Sequence, residues 1–489
     1  MIHRFQTVCI TWLMLLTGMG FLACNDHDDL SREQIVNHPA FRIVITPKSP
    51  ASGRDTKGPN GGESGDGTQE ASENEYRVSN ATLLFYQPEG NNGLNGTGDA
   101  VIKYAVYAPA FKYNDQGNVY LSDTIRVSEG FPAGEYHILA VCNMGDVSAR
   151  CLGHKLSEVR DLTTGTAYQQ AVNLEDAYDF VMTSSKEVTE KISGQTNVAV
   201  IDGTLRVNLF NIALDVERLA ARIDISAGKS TYGNTLPDGV DEKYRGDFEK
   251  GYYQFDVTGS AGDKFYLMTV APINLSRGEE YWFKRVASLN EMAGEWTAVE
   301  YLGNEEATTS FMATNYVADP LSVKKLKEGL LPEGLEYANA YAQMYDETKQ
   351  GPENYAAYRV HRTPADDELQ NSNLFYKANN KSGDEVVYRK LAYAKENTLL
   401  ASSPYHTFAT GLLFSGYYIK KGTTVPAAKT YEYFIRHADP NNVPGDAIMK
   451  YGIVRNNIYR ICINGVASMG VIILEVRDWS PITVPDIEM

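Results

Sequence analysis

One residue carries a clear signal for covalent chemistry. Cys24 closes the run Phe21-Leu22-Ala23-Cys24, at the end of an apolar stretch from Thr7 to Leu22 that His3 and Arg4 precede. The stretch has the layout of a signal-peptide core and is short for a membrane span. Small Ala23 before a cysteine resembles a bacterial lipobox, although Phe21 stands where Leu is commoner. There, cleavage behind Ala23 leaves Cys24 as an acylated first residue. Cys9 departs with the signal, so Cys142, Cys151 and Cys462 remain. An odd number without C-x-x-C argues against a disulfide framework or a zinc site. Cys142 and Cys462 lie in apolar runs, where a buried thiol is expected.

Other chemistry is weakly signalled. Gly228-Lys229-Ser230 imitates the end of a phosphate-binding loop, but Ile223 holds the place of the first glycine. Gly96-Thr97-Gly98 lacks the third glycine of a dinucleotide fingerprint and reads as a turn. No H-E-x-x-H or G-x-S-x-G occurs, and the eight histidines are scattered. Asp366-Asp367-Glu368 reads as a solvated face. Arg245-Gly246-Asp247 and Asp123-Thr124-Ile125 match tripeptides known from integrin recognition and O-glycosylation, at lengths that chance readily supplies. No catalytic residue, metal or cofactor is expected. With 45 basic against 62 acidic residues the net charge is −17, a poor match for nucleic acid or an anionic membrane surface.

The elements that carry these residues are mainly strands. The 489 residues, 43% hydrophobic, suit two folded domains plus an export segment. The 32 tyrosines fit half-buried strands. Phe41 to Thr46 alternates, with Phe41, Ile43 and Ile45 on one face. From Ser52 to Glu75 the chain is rich in Gly, Ser and Glu and is expected to be a flexible, protease-accessible loop containing Arg54. Strands are predicted at 78–86, 135–141, 205–210 and 219–225 for a first domain, and at 252–257, 264–270, 407–418, 430–436, 453–463 and 471–476 for a second. Between them, 318–385 reads as more helical, with helices over 322–331 and 335–348. The expected layout is a signal over 1–23, a tether, strand and loop over 24–75, a β domain over 76–225, and another over 226–489 with the insertion near 318–385.

Several of these strands resemble, in order, those of the fimbrillins, the type V pilins of Bacteroidales. Gly134-Glu135-Tyr136-His137-Ile138-Leu139-Ala140-Val141-Cys142-Asn143 is similar to the family's G-x-Y-x-hydrophobic-x-A-V-x-N strand. Glu217 to Asp224 resembles the strand closing the N-terminal domain, and Tyr393 to Thr398 the Y-x-x-E-N-T segment. Val454-Arg455-Asn456-Asn457-Ile458-Tyr459-Arg460 is similar to V-R-N-x-x-Y-R, and Val476 to Trp479 to the terminal V-x-x-W.

The resemblance implies two tandem β-sandwich (transthyretin-like) domains, no enzyme activity, and a lipoprotein precursor at the outer membrane. The acidic tether Asn25 to Asp29 resembles the surface-export signal of Bacteroidetes lipoproteins. An arginine-specific protease would cut after Arg54, freeing the strand of Phe41, Ile43 and Ile45. A tail such as Ile482 and Val484 of another subunit would replace it, although Pro485 limits pairing beyond them. Partners are then further copies, accessory fimbrial subunits and a host or bacterial surface ligand. Stalk, tip and anchor positions stay open. The alternative is a non-polymerising surface lipoprotein that binds glycans on an aromatic platform, with Trp282 and Trp296 as candidates.

Overall fold

A computed structural model describes residues 40–47, 68–70, 73–87, 100–115, 118–126, 132–164, 179–185, 187–192, 197–201, 204–208, 210–276, 279–284, 286–288, 315–317, 319–320, 341–342, 358–369, 372–380, 382–399, 409–435, 451–466 and 471–480. The fold is mainly β. Contacts divide the chain into two compact units, one of residues 1–42, 124–134 and 191–211, the other of 43–123, 135–190 and 212–489. In the first, Asn197–Ile201 and Thr204–Asn208 form an antiparallel hairpin, and Ala40 and Phe41 pair with Arg126 and Ile125.

Three larger sheets follow. In the first, the hydrogen-bonded order is Ile102–Ala108, Ala81–Tyr86, Gly134–Cys142, Met182–Ser184, Phe210–Arg218, Ala40–Pro47, Val119–Ser122, Phe111–Asn114. Its end strands, Ile102–Ala108 and Phe111–Asn114, are separated in sequence by Pro109 and Ala110 alone. Ala81–Tyr86 is buried at every position, as a central strand covered on both faces must be. Gly134–Cys142 ends at Asn143, whose φ of 63° is the left-handed conformation that asparagine tolerates best among residues with a Cβ.

The second sheet runs Thr68–Glu70, Val471–Ser480, Asn457–Gly465, Ala221–Ser226, Glu385–Ala394, Phe375–Asn379. In the third, the order is Thr231–Gly233, Tyr252–Asp256, Lys264–Ile273, Gly411–Ile419, Ala427–Phe434, with Tyr358–Arg359 also on Lys264–Ile273. Ile223, Leu391, Tyr459 and Ile461 of the second sheet share one buried core with Phe255, Leu267, Val270, Leu412 and Phe414 of the third. Alternation explains this: along Asn457–Gly465, Tyr459, Ile461 and Ile463 point to the same side.

Four sequence expectations change. The strand read over 219–225 as the end of the first domain lies in the second sheet, antiparallel to Glu385–Ala394 and parallel to Asn457–Gly465. Alternation sets which face is buried but not which strand is the neighbour. The strand expected over 453–463 is two, Tyr451–Ile453 and Asn457–Gly465, because Asn456 turns left-handed at φ 58° between them. Within the helix expected over 335–348, Tyr341–Ala342 is a strand on Leu275–Ser276. The supposed insertion also supplies Phe375–Asn379, the outer strand of the second sheet. Strands of two to five residues are too short for period-two patterning to stand out. The helix expected over 322–331 lies outside the described residues, and Asp366–Leu369 is a short helix within the described part of 318–385.

Gly416 marks the tightest packing in the third sheet. A Cβ there would lie 1.9 Å from the Tyr266 carbonyl oxygen and 2.8 Å from its carbon, both backbone atoms that cannot rotate away. Gly416→Ala is expected to destabilise the fold by about 1–3 kcal/mol or more, read as a lower denaturation midpoint. An unchanged midpoint would mean that the ladder shifts at negligible cost.

Candidate strand-exchange site and buried charge network

The sequence places Phe41, Ile43 and Ile45 on one face of a strand, and each is completely buried in the structure. Arg42, Val44 and Thr46 between them are half-buried. Ala40–Pro47 lies inside the first sheet, with Phe210–Arg218 on one side and Val119–Ser122 on the other. Val44 and Ile45 oppose Leu121 and Tyr120, and the Ile43 N–H donates to Ser122 Oγ at 2.9 Å. The neighbour Phe210–Arg218 likewise buries Ile212, Leu214 and Val216 in alternation. Tyr120 packs with Tyr113 and Tyr76, at centroid distances of 5.1 and 6.3 Å. Pro47, without an N–H, suits the end of the strand.

What this arrangement holds is an extended chain, through apolar burial and backbone pairing. Three apolar side chains buried at about 1.5–3 kcal/mol each give roughly 5–9 kcal/mol gross, beside the ladder hydrogen bonds. Removing the strand would expose two strand edges facing one gap. Ala23, Cys24, Arg54, Ile482 and Val484 lie outside the described residues. The last described strand, Val471–Ser480, stops just before Ile482.

A second constellation gathers the sequence motifs. Arg455 and Glu396, both fully buried, form a two-pronged ion pair: Nε donates to Oε1 at 2.8 Å and Nη2 to Oε2 at 2.7 Å. Arg455 also donates to the carbonyls of Trp282 at 2.9 Å and Tyr281 at 2.7 Å. Asn456 Oδ1 accepts from Arg218 Nη1 at 2.9 Å, and the Asn456 N–H donates to Ala220 O at 2.8 Å. Tyr459 Oη accepts the Val454 N–H at 2.7 Å. Asn397 Nδ2 reaches Thr410 Oγ1 at 2.9 Å. The Y-x-x-E-N-T and V-R-N-x-x-Y-R segments thus meet in one buried junction.

Glu75 belongs to an adjoining cluster. Its carboxylate accepts from Arg222 Nη1 at 2.8 and 3.0 Å, lies 3.2 Å from Lys390 Nζ, and accepts from Tyr393 Oη at 2.7 Å. Its carbonyl accepts from Arg218 Nε. Arg222 is also paired with Asp224. Burial pushes Arg218 down to about 10, helped by the like charge of Arg222 and opposed by Glu75. Burial also lowers Lys390, against the pull of Glu75. Arg455 is held above its ordinary value: burial works against the charge, and Glu396 outweighs it.

Sequence reasoning missed Glu75, which it left in a flexible stretch; the residue is 1% exposed. A lone carboxylate in a Glu- and Ser-rich run carries no periodic signal. Trp282, a candidate for an exposed aromatic platform, is fully buried with the Arg150 guanidinium 4.4 Å over its ring. Its apolar flank belongs to the core, and Trp296 lies outside the described residues. Arg245-Gly246-Asp247 sits in the short helix Arg245–Phe248, where Arg245 pairs with Glu242 and Asp247 accepts from Tyr417 Oη at 2.8 Å. Cys142, Cys151 and Cys462 are free and buried, and burial pushes the Cys151 thiol up to about 11. Among the described residues, no group of histidine, cysteine and carboxylate side chains could hold a metal.

Residues 426–486 match the family model of the major fimbrial subunit protein type IV, fimbrillin, C-terminal. That span contains the V-R-N-x-x-Y-R and V-x-x-W segments, so the C-terminal part of the chain is similar to that family's C-terminal region. Among solved structures, a Parabacteroides distasonis protein provisionally described as a cell adhesion protein shares 11% identity and a TM-score of 0.42, covering 91% of this chain and 98% of the other. The tip fimbrial protein Mfa3 from Porphyromonas gingivalis, truncated at its C-terminus, shares 9% identity and a TM-score of 0.36, covering 90% and 100%. No curated protein matches the chain.

Two predictions follow from the junction. Arg455→Met strands a buried carboxylate and is expected to cost about 3–5 kcal/mol in chemical denaturation, with a smaller loss when Glu396→Leu is added. Strictly additive losses would show that the two charges do not act as a pair. Glu280, also fully buried, accepts the Glu396 N–H at 3.2 Å. Burial raises it to about 8, with Glu396 adding to the rise and Arg455 and Lys395 opposing it. Its ordinary value is 4.5, so the folded chain holds an extra proton between the two, and its stabilising contribution fades as pH rises towards about 8. Glu280→Gln stays neutral, and its melting-temperature advantage should grow between about pH 5 and pH 9. A constant difference across that range would refute the assignment.

Proposed function

We propose that this protein is a structural subunit of a cell-surface fimbria that mediates adhesion. It is exported as a lipoprotein acylated on Cys24 after cleavage behind Ala23, and sits at the outer membrane as a precursor. An arginine-specific protease cuts after Arg54. The segment carrying Phe41, Ile43 and Ile45 then leaves, and a strand around Ile482 and Val484 of another subunit takes its place. Copies of the chain and accessory fimbrial subunits are its partners within the fimbria, and a host or bacterial surface ligand is the partner it adheres to. Two tandem transthyretin-like sandwiches, the second carrying an insertion, would present the two halves of this exchange.

The observation that carries the reading is the placement of Ala40–Pro47. A strand near the start of the sequence lies inside a sheet, hydrogen-bonded on both sides, and buries an alternating apolar face. Any extended segment with the same alternation can satisfy that gap, because ladder bonds come from backbone and the pockets ask only for apolar side chains. The fimbrillin match over 426–486 supports the same reading. The glycan-platform alternative loses Trp282, which is buried.

The test is unboiled gel electrophoresis and intact mass of the surface protein, with and without an arginine-specific protease. Cleavage is expected to yield a chain starting at Asp55 and heat-sensitive ladders, and Arg54→Ala is expected to abolish both. A protein that remains lipidated, intact and monomeric after the treatment would defeat the proposal.

A further inference from the structure

We infer that Glu75 is a latch that ends arginine-directed processing upstream of it, by shielding the Arg77–Val78 bond. The inference deepens the reading above and rests on it for the claim that a protease acts on this region at all. Arg77 is a second arginine close to the expected cut, and its side chain is 46% exposed in an ion pair with Asp179 at 2.5 Å. On side-chain exposure alone it would be a substrate.

Its backbone is held differently. A protease must draw several residues around the scissile bond into its own cleft in extended form, so a bond is cut only as often as its segment opens. The Arg77 carbonyl accepts from Asn143 Nδ2 at 2.8 Å, and the same amide reaches Phe180 O at 2.7 Å. The Ser79 N–H donates to Asn143 Oδ1 at 2.8 Å, and Val78 is 1% exposed. Two residues before Arg77, Glu75 is clamped by Arg222, Lys390 and Tyr393 through its side chain and by Arg218 through its carbonyl. Drawing the Arg77 segment out in extended form therefore means both breaking the Asn143 brace and pulling a buried carboxylate away from two cations.

The latch also decides what the processed chain keeps. Thr68–Glu70, between Arg54 and Glu75, pairs in parallel with Asp478, Trp479 and Ser480. A cut after Arg54 leaves that strand covalently attached beside the end of Val471–Ser480. A cut after Arg77 would sever it. Glu75 thus keeps an edge of the second sheet covered while the strand at 40–47 is free to leave.

The experiment is a timed digestion of the full-length chain lacking its signal, with an arginine-specific protease, reading product N-termini by mass spectrometry. Over the time in which Glu75→Ala is cut to a chain starting at Val78, wild type should give no detectable chain starting there. Asp179→Asn is the control: it removes the exposed ion pair but leaves the latch, and should stay resistant at Arg77. Hydrogen exchange at Ser79, whose N–H donates to Asn143, should be slow in the wild type, which tests the brace even if Glu75→Ala fails to fold. Cleavage of wild type at Arg77, cleavage of Asp179→Asn there, or rapid exchange at Ser79 would each overturn the latch. If the wild type resists at Arg54 as well while Glu75→Ala opens at Arg77, the latch stands and the processing scheme falls.

Discussion

The ion pair between Arg455 and Glu396 is the constraint around which the described structure is organised. Both side chains are fully buried, where an unpaired charge costs several kcal/mol and a pair is tolerated only with its remaining donors satisfied. Arg455 meets that demand by donating to two carbonyls, of Tyr281 and Trp282, as well as to Glu396. The arrangement therefore needs three distant segments to arrive together: 281–282, 396 and 455. Asn456, next in sequence, adds a fourth through Arg218 and Ala220. Such a knot adds less to net stability than apolar packing of equal volume would. What it does supply is register, because each one-residue slip would leave a charge or carbonyl without its partner.

The strand Ala40–Pro47 is held by a different kind of force. Phe41, Ile43 and Ile45 are buried, and the Ile43 N–H donates to Ser122 Oγ. Apolar burial and backbone pairing are indifferent to which chain supplies them. A charge network is not indifferent, since its geometry is written in particular side chains. The molecule thus pairs an irreplaceable polar junction with an apolar strand that another segment could imitate. That contrast suits the strand exchange proposed above, which needs an acceptor that keeps its shape while one of its strands changes.

Much of this was legible in the sequence as local pattern and little of it as pairing. Period-two alternation located 40–47 and 457–465, and turn signals around strand-like runs located 81–86 and 134–142, to within a few residues; the burial of Phe41, Ile43 and Ile45 matches the alternation. The motif segments were visible in the sequence, yet nothing in Tyr393 to Thr398 announces that Glu396 meets Arg455, 59 positions on. The 219–225 strand, expected in the first domain, pairs with Glu385–Ala394 and Asn457–Gly465 instead, and was misplaced for the same reason. Glu75 was invisible because a buried carboxylate looks like a solvated one until its cations are placed. Trp282 shows the converse: an aromatic residue outside any alternating run reads as exposed, but the Arg455 contact to its carbonyl draws its backbone into the junction.

The left-handed asparagines connect these two scales. Asn143 and Asn456 each end or begin a strand at positive φ, and each uses its side chain to tie down a distant segment. Asn143 braces residues 77–79 and Phe180; Asn456 braces Arg218. Glycine would adopt the same backbone at lower cost but would leave those donors and acceptors without partners, and aspartate would lack the amide that Arg77 and Phe180 share. The conformational penalty at each site is therefore coupled to a tertiary contact that only an asparagine can make. This accounts physically for why both resemblance motifs, A-V-x-N and V-R-N, carry their asparagine where the strand turns rather than within it.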